Sequence, residues 1–196
     1  MVKPGRLVVK VGTAVLTSGG RSLDAERMRD LARQIAALRD AGHEVLLVSS
    51  GAIAAGRERL PLDGARRDIP AKQMLAAIGQ HRLMQTWDSL FADRGVIVAQ
   101  TLLTKLDLRD RQGYLNARNT LIGLVEHKVL PVVNENDVVR VDEIHVTDDN
   151  RLFGDNDNLA AMVANLVDAQ LLINLTNTGG LYTADPRRVA GAELLP

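Results

Sequence analysis

Short, nearly unbroken apolar runs alternate along this chain with longer stretches in which apolar residues return every three or four positions. The first pattern reads as buried strand and the second as amphipathic helix. Arg6 to Val11 is a first strand, ending in Lys10-Val11-Gly12-Thr13. A small loop follows at Thr17-Ser-Gly-Gly-Arg. Met28, Leu31, Ile35 and Leu38 then mark a helix that Gly42 stops. Glu44 to Ser49 is a second strand, which runs into Ser49-Ser50-Gly51-Ala52-Ile53 and a short helix to about Leu60. Pro61 to Asp68 is a polar, charged loop. Pro70 opens a long helix near its first position, with Met74, Leu75, Ile78, Leu83 and Leu90 as its apolar residues. Gly95 ends it, and Val96 to Ala99 is a third strand. Asp107 to Gln112 is charged and reads as a loop or helix start. Tyr114 to Glu126 is a helix with Leu115, Leu121, Leu124 and Val125 on one side. Val129 to Val133 is a fourth strand, a helix starts close to Leu159, and Ala169 to Leu175 is the last strand. Asp142 to Thr147 reads as a small β-ribbon.

Alternating helices and near-continuous apolar strands predict an α/β fold with a central, mainly parallel sheet covered on both faces. No repeat or low-complexity linker divides the 196 residues, so one domain is expected. No helix or strand closes the pattern after Tyr182, so the domain reads as C-terminally incomplete.

Composition narrows the function. The formal net charge is zero, which gives no general attraction to nucleic acid or anionic membranes. There is no cysteine, so disulfides, thiolate metal sites and cysteine nucleophiles are excluded. Lys10 breaks the first apolar run too early for a signal peptide, and no run reaches membrane-span length. A soluble cytoplasmic protein is expected. With one Trp, two Tyr and two Phe, the core must be aliphatic and base-stacking platforms are not expected.

The chemistry gathers between Val132 and Leu159. Asn134, Glu135, Asn136 and Asp137 are expected just past the carboxyl end of a strand. Gly154, Asp155, Asn156 and Asp157 are expected at the amino end of a helix. Open α/β sheets bind ligands at these two places. Asn and Asp side chains there can hold an ammonium and a carboxylate together, although the same residues also serve as turns and caps. Lys10, followed by Gly12 at a strand end, can meet a phosphate as a point charge; the competing reading is an edge-strand lysine whose head reaches outward. Ser49-Ser50-Gly51-Ala52 lets backbone N–H groups approach an anion. Several motifs fail. Gly51 and Gly56 are followed by Arg57-Glu58, not the Lys-Ser/Thr of a P-loop. Asp148, Asp149, Asp155 and Asp157 lack EF-hand spacing, and Mg²⁺ carried in by a nucleotide suits them better than a protein cage. The four histidines form no legible Ser-His-Asp set, and the sequon at Asn174 lies at a buried strand end.

These segments resemble glutamate 5-kinases, within the amino-acid-kinase superfamily. The resemblance is carried by Val-Val-Lys-Val-Gly-Thr at 8–13, Val-Ser-Ser-Gly-Ala-Ile-Ala-Ala-Gly-Arg at 48–57 and Lys-Gln-Met-Leu-Ala-Ala-Ile-Gly-Gln at 72–80. Tyr-Leu-Asn-Ala-Arg-Asn-Thr at 114–120, Asn-Glu-Asn-Asp at 134–137, Gly-Asp-Asn-Asp-Asn-Leu at 154–159 and Gly-Leu-Tyr-Thr-Ala-Asp-Pro-Arg at 180–187 complete it. It implies a three-layer sandwich and ATP-dependent phosphorylation of the glutamate side-chain carboxylate, the first step of proline biosynthesis, with Mg²⁺ carried on the nucleotide. It implies that Lys10 neutralises the transferring phosphoryl group and that Asp157 orients Lys10. Ser50, the Gly51 amide, Asn134, Asp137 and Asn156 would hold substrate. Lys10, Gly12, Thr176 and Asn177 would lie against the nucleotide. It also implies a homo-oligomer, dimer or tetramer, and proline as a feedback inhibitor.

Three departures accompany the resemblance. Asn177 stands where the family usually has Asp. The connection from Asp137 to Gly154 is longer, around Thr147 to Phe153. The chain ends before the family's Thr-Gly-Gly-Met-like segment and second phosphate-binding lysine, and no PUA domain follows. These departures imply glutamate binding without efficient turnover. The alternatives are a non-catalytic remnant that binds glutamate or proline, or a kinase for N-acetylglutamate, aspartate or UMP. Asp137 argues against N-acetylglutamate, because a free α-ammonium wants a carboxylate partner and an acetylated nitrogen does not.

Overall fold

A computed structural model describes residues 5–60, 68–139, 156–180, 182–184, 186 and 189–195. The expected ribbon at Asp142 to Thr147, the loop at 61–67, and Gly154 and Asp155 lie outside these residues. Five strands form one wholly parallel sheet: β1 (Arg6–Val11), β2 (Glu44–Ser49), β3 (Val98–Leu103), β4 (Leu130–Glu135) and β5 (Leu171–Leu175). Their spatial order is β3-β4-β2-β1-β5. The helices are α1 (Thr13–Leu16), α2 (Ala25–Asp40), α3 (Ala52–Arg59), α4 (Ile69–Ala92), α5 (Lys105–Arg109), α6 (Arg111–Glu126) and α7 (Asn156–Leu166). None of the described helices is long and apolar enough to cross a membrane.

Alternate side chains of each strand face opposite ways, and this splits the core into two layers. Val9, Val11, Val45, Leu47 and Val132 pack against α2 and α4 through Met28, Leu31, Ile35, Leu83, Trp87 and Phe91. Val8, Leu46, Val48 and Val133 pack on the other face against Leu121, Val125, Leu159, Val163 and Leu166 of α6 and α7. The result is the expected three-layer sandwich.

Local chemistry sets the helix ends. Asp24 caps α2 by accepting from the Glu26 and Arg27 N–H groups at 3.0 Å each, and Gly42 turns the chain away at φ 92°. Asp68 caps α4 by accepting from Ala71 N–H, so the helix starts at Ile69 with Pro70 in its first turn. Of the two readings of Asp107 to Gln112, loop and helix start, the structure contains the second. Thr104 and Asp107 form a capping box for α5, and Asp110 ends α5 while capping α6 through Gly113 N–H at 2.8 Å. The helix expected from Tyr114 therefore starts at Arg111. Arg118 of α6 donates to the Leu166 carbonyl and to the Asp168 carboxylate at the end of α7. The hydrogen bond from Arg118 holds the Asp168 carboxyl below its usual range.

Other boundaries also moved. The third strand begins at Val98, two residues later than expected, and runs on through Gln100 and Thr101 to Leu103. The last strand begins at Leu171, not Ala169. The fourth runs past Val133, so Asn134 and Glu135 are its last two residues instead of lying beyond it. They hold the ladder with Leu102 and Leu103 of β3, and both are buried. Met74 and Ile78 are exposed; the inner face of α4 is instead Leu75, Ala76, Gly79, Leu83, Trp87 and Phe91. Leu115 is likewise exposed on α6.

Candidate active site

The carboxyl ends of β1, β2 and β4 bring Lys10, Ser50 and Asn134 to one edge of the sheet, where the amino end of α7 meets them. β1 lies between β2 and β5, with Lys10 paired to Val48 on one side and Asn174 on the other. An edge-strand lysine reaching outward is therefore not what the fold contains. Lys10 is 6% exposed, and its Nζ lies 2.6 Å from Asp157 Oδ1. A buried ammonium needs such a partner. Asp157 Oδ1 also accepts from Asn174 Nδ2 at 2.8 Å, so one carboxylate oxygen is held from two sides. Asp157 stands in the first turn of α7, where the helix dipole favours an anion.

A second group of side chains forms a buried chain of amides. Asn134 Nδ2 donates to Gln80 Oε1 at 2.8 Å. Asn134 Oδ1 accepts from Asn156 Nδ2 at 2.9 Å and from the Glu135 N–H at 2.9 Å. Asn156 Nδ2 also donates to Ser50 Oγ at 2.8 Å. Both amide hydrogens of Asn156 are thereby committed. Its Oδ1 is buried with no hydrogen-bond partner among the described residues. A buried acceptor in that state is costly unless a donor reaches it.

Between β2 and α3 the chain turns at Gly51, whose φ of 108° lies in the left-handed region. Leu16, Leu23 and Leu83 crowd the space a side chain would need there. Gly51 is the N-cap of α3 and supplies no side chain, so the first N–H groups of that helix keep their donors for something else. Two more glycines hold α3 in place. A Cβ on Gly79 of α4 would collide with the Ala52 carbonyl and the Gly56 N–H, and one on Gly56 would collide with the Leu75 carbonyl. The two helices thus meet backbone to backbone.

These parts enclose a cavity of about 260 Å³. Ser50, Gly51, Ala52, Ile53 and Ala54 line one side, and Asn134, Asp137 and Asn156 another. Glu135, Arg57, Lys72 and Thr13 complete the wall. Both signs of charge therefore face one small volume. A separate cavity of about 720 Å³ opens between α1, α2 and the turn after β5. Thr176, Asn177, Thr178, Gly179 and Gly180 line it, together with Asn174, Ser18 and Arg27. Thr176 Oγ1 and Thr178 Oγ1 lie 3.3 Å apart on its wall. Gly12 hydrogen-bonds through its N–H to the Leu175 carbonyl, close to the Lys10 ammonium. Asn156 thus lines the first cavity and Asn174 the second; Asp157 follows Asn156 in the chain and accepts from Asn174.

The ten site residues singled out from sequence accordingly fall into three groups. Ser50, Gly51, Asn134, Asp137 and Asn156 share the smaller cavity. Thr176 and Asn177 share the larger one. Lys10, Gly12 and Asp157 stand at the sheet edge, tied to the wall of the larger cavity through Leu175 and Asn174. Sequence reasoning missed Asn174, read only as part of a sequon, and Gln80, the last residue of a quoted motif. It also missed Lys72, which opens that same motif, Arg57, which closes the segment at 48–57, and Trp87. Among the described residues no group of three or more His, Asp or Glu side chains gathers as a metal site.

Residues 5–196 match the Amino acid kinase family. The chain is 59% identical over 190 residues to a glutamate 5-kinase of Dehalococcoides mccartyi, covering 97% of this chain and 50% of that protein. It is 52% identical over 193 residues to a glutamate 5-kinase of Vibrio vulnificus, covering 98% and 49% respectively. The chain therefore spans about half the length of the curated relatives it matches. Among solved structures it is similar to the UMP kinase of Bacillus anthracis, with a TM-score of 0.57 and 14% identity over 98% of this chain and 73% of that one. That likeness bears on the fold alone.

Proposed function

The chain belongs to the amino acid kinase family, and we propose that it carries the substrate side of a glutamate 5-kinase, which transfers phosphate from ATP to the side-chain carboxylate of L-glutamate. The observation that supports this most is the Lys10–Asp157 pair, held by Asn174 on the wall of the larger cavity and next in the chain to Asn156 on the wall of the smaller one. The smaller cavity suits a zwitterion. Asp137 and the unpaired Oδ1 of Asn156 are acceptors for an α-ammonium. The Ser50 hydroxyl and the N–H groups at the start of α3 are donors for an α-carboxylate. Both amide hydrogens of Asn156 are committed within the protein, which leaves it the acceptor's role.

The larger cavity, with its paired threonines and glycines, suits the phosphates of ATP. Phosphoryl transfer asks the protein mainly for positioning and for charge opposite the moving oxygens. Lys10 supplies that charge, and Asp157 with Asn174 fixes where its ammonium stands. Mg²⁺ would arrive on the nucleotide and share the phosphate charge. In this reading proline, itself a small zwitterion, competes near the same cavity. The setting is cytoplasmic, and the working form is a homo-oligomer.

The assignment of Asp137 is open to a direct test. Asp137 is half-buried, so its pair with the ammonium is partly screened. Asp137→Ala is expected to weaken L-glutamate by about 1.5–3 kcal/mol, the range for a hydrogen bond to a charged group. Isothermal titration calorimetry measures it. Unchanged affinity would remove Asp137 from the substrate site.

A further inference from the structure

Trp87 is the only tryptophan in the chain, lies on α4, and is fully buried. Its indole N–H donates to Ser49 Oγ at 3.0 Å. Ser49, also fully buried, donates in turn to the Ser50 carbonyl at 3.0 Å. The Ser50 N–H is held by the Val11 carbonyl at 3.0 Å, which ties the other side of this residue to β1. A trans peptide is planar, with its C=O and N–H on opposite edges. Securing the Ser50 carbonyl toward the core therefore turns the Gly51 N–H the other way. Gly51 lines the smaller cavity, and among the described residues no backbone carbonyl takes its N–H. Turning this peptide over takes a concerted rotation of ψ at Ser50 and φ at Gly51, which a glycine permits, and would put a carbonyl oxygen where an anion should bind.

We infer that Trp87 is a positioning residue for the amino-acid cavity: through Ser49 it locks the Ser50–Gly51 peptide with its N–H aimed at the substrate carboxylate. This rests on the reading of the cavity as a glutamate site. A tryptophan used only for packing needs no polar partner, whereas here each hydrogen-bonding group in the chain is consumed by the next.

The experiment is calorimetric titration of the chain with L-glutamate, comparing wild type with Trp87→Phe, Ser49→Ala, Ser49→Thr and the Trp87→Phe/Ser49→Ala double variant. Trp87→Phe and Ser49→Ala should each weaken binding about tenfold, which is one broken link's worth of free energy. The double variant should be no weaker than the worse single within about twofold, because both break one relay. Ser49→Thr keeps the hydroxyl and should bind like wild type. Wild-type affinity in Trp87→Phe or Ser49→Ala would overturn the relay, as would losses that multiply to about a hundredfold in the double variant. If Trp87→Phe fails to fold, Ser49→Ala against Ser49→Thr decides alone. A wild-type chain without glutamate affinity would overturn the reading of the cavity and the relay with it.

Discussion

Gly79→Ala should be among the most damaging single-methyl additions this fold can receive. The added Cβ falls within the contact distance of the Ala52 carbonyl and the Gly56 N–H, both backbone atoms that cannot rotate away. Relief requires α3 and α4 to separate along their whole contact. Overpacking typically costs about 1–3 kcal/mol, and two backbone collisions place this case at the upper end or beyond. A loss of about 3 kcal/mol lowers the melting temperature by on the order of 10 °C in a chain of this size. Binding should suffer as well, because Gly51 to Ala54 at the start of α3 line the cavity. Gly123→Ala is the control. Gly123 is also inside a helix, but nothing lies within 4 Å of where its Cβ would be. There alanine should stabilise by about 0.5–1 kcal/mol, since only the helix propensity changes. Scanning calorimetry of both variants checks the pair. Equal melting temperatures would mean that α3 and α4 do not meet through their glycines.

Lys10→Met should abolish phosphoryl transfer while sparing the amino-acid cavity. Methionine fills a similar volume in β1 and removes the ammonium. Loss of a preorganised charge opposite a phosphoryl group costs about 10³-fold or more in turnover. Glutamate affinity should change little, because Lys10 is not among the residues lining the smaller cavity. Asp157 is half-exposed and keeps its bond from Asn174, so its carboxylate is not stranded in the core. Hydroxamate formation in a turnover-competent length of the protein gives the first quantity, and titration the second. Turnover within about tenfold of wild type would assign the charge on the phosphoryl group to another residue.

The parts legible from sequence were those where burial is uniform. β2 runs from Glu44 to Ser49 as expected because Val45 to Val48 is an unbroken apolar run, buried on both faces. Lys10 announced itself because an apolar strand carries few reasons for a charge. What hydropathy could not see was structure made from polar or very small residues. Asn134 and Glu135 read as loop, yet they complete β4 by pairing with Leu102 and Leu103 of β3, and the buried Asn134 side chain bonds to Gln80, Asn156 and the Glu135 N–H. Gln100 and Thr101 hid the length of β3, which among the described residues is an edge strand paired by β4 alone. The packed face of α4 is hard to read from hydropathy because its contact with α3 is made by Gly79 and the Leu75 backbone, while Met74 and Ile78 are exposed. Trp87 was counted among scarce aromatics, although its polar edge reaches the strand end that carries Ser50. The convergence of Lys10 and Asp157 came from the resemblance and from strand-end logic, and the ion pair at 2.6 Å accords with it.

The central claim is that the cavity of about 260 Å³ takes a free amino acid by its charges, ammonium against Asp137 and Asn156 and carboxylate against Ser50 and the start of α3. N-acetyl-L-glutamate keeps both carboxylates and loses the ammonium, so it isolates that recognition. The direct measurement is calorimetric titration of this chain with L-glutamate and with N-acetyl-L-glutamate under identical conditions. The account predicts saturable binding of L-glutamate and affinity for the acetylated compound at least about a hundredfold weaker, from an unpaired carboxylate and a blocked nitrogen. Equal affinities, or a preference for N-acetyl-L-glutamate, would contradict it.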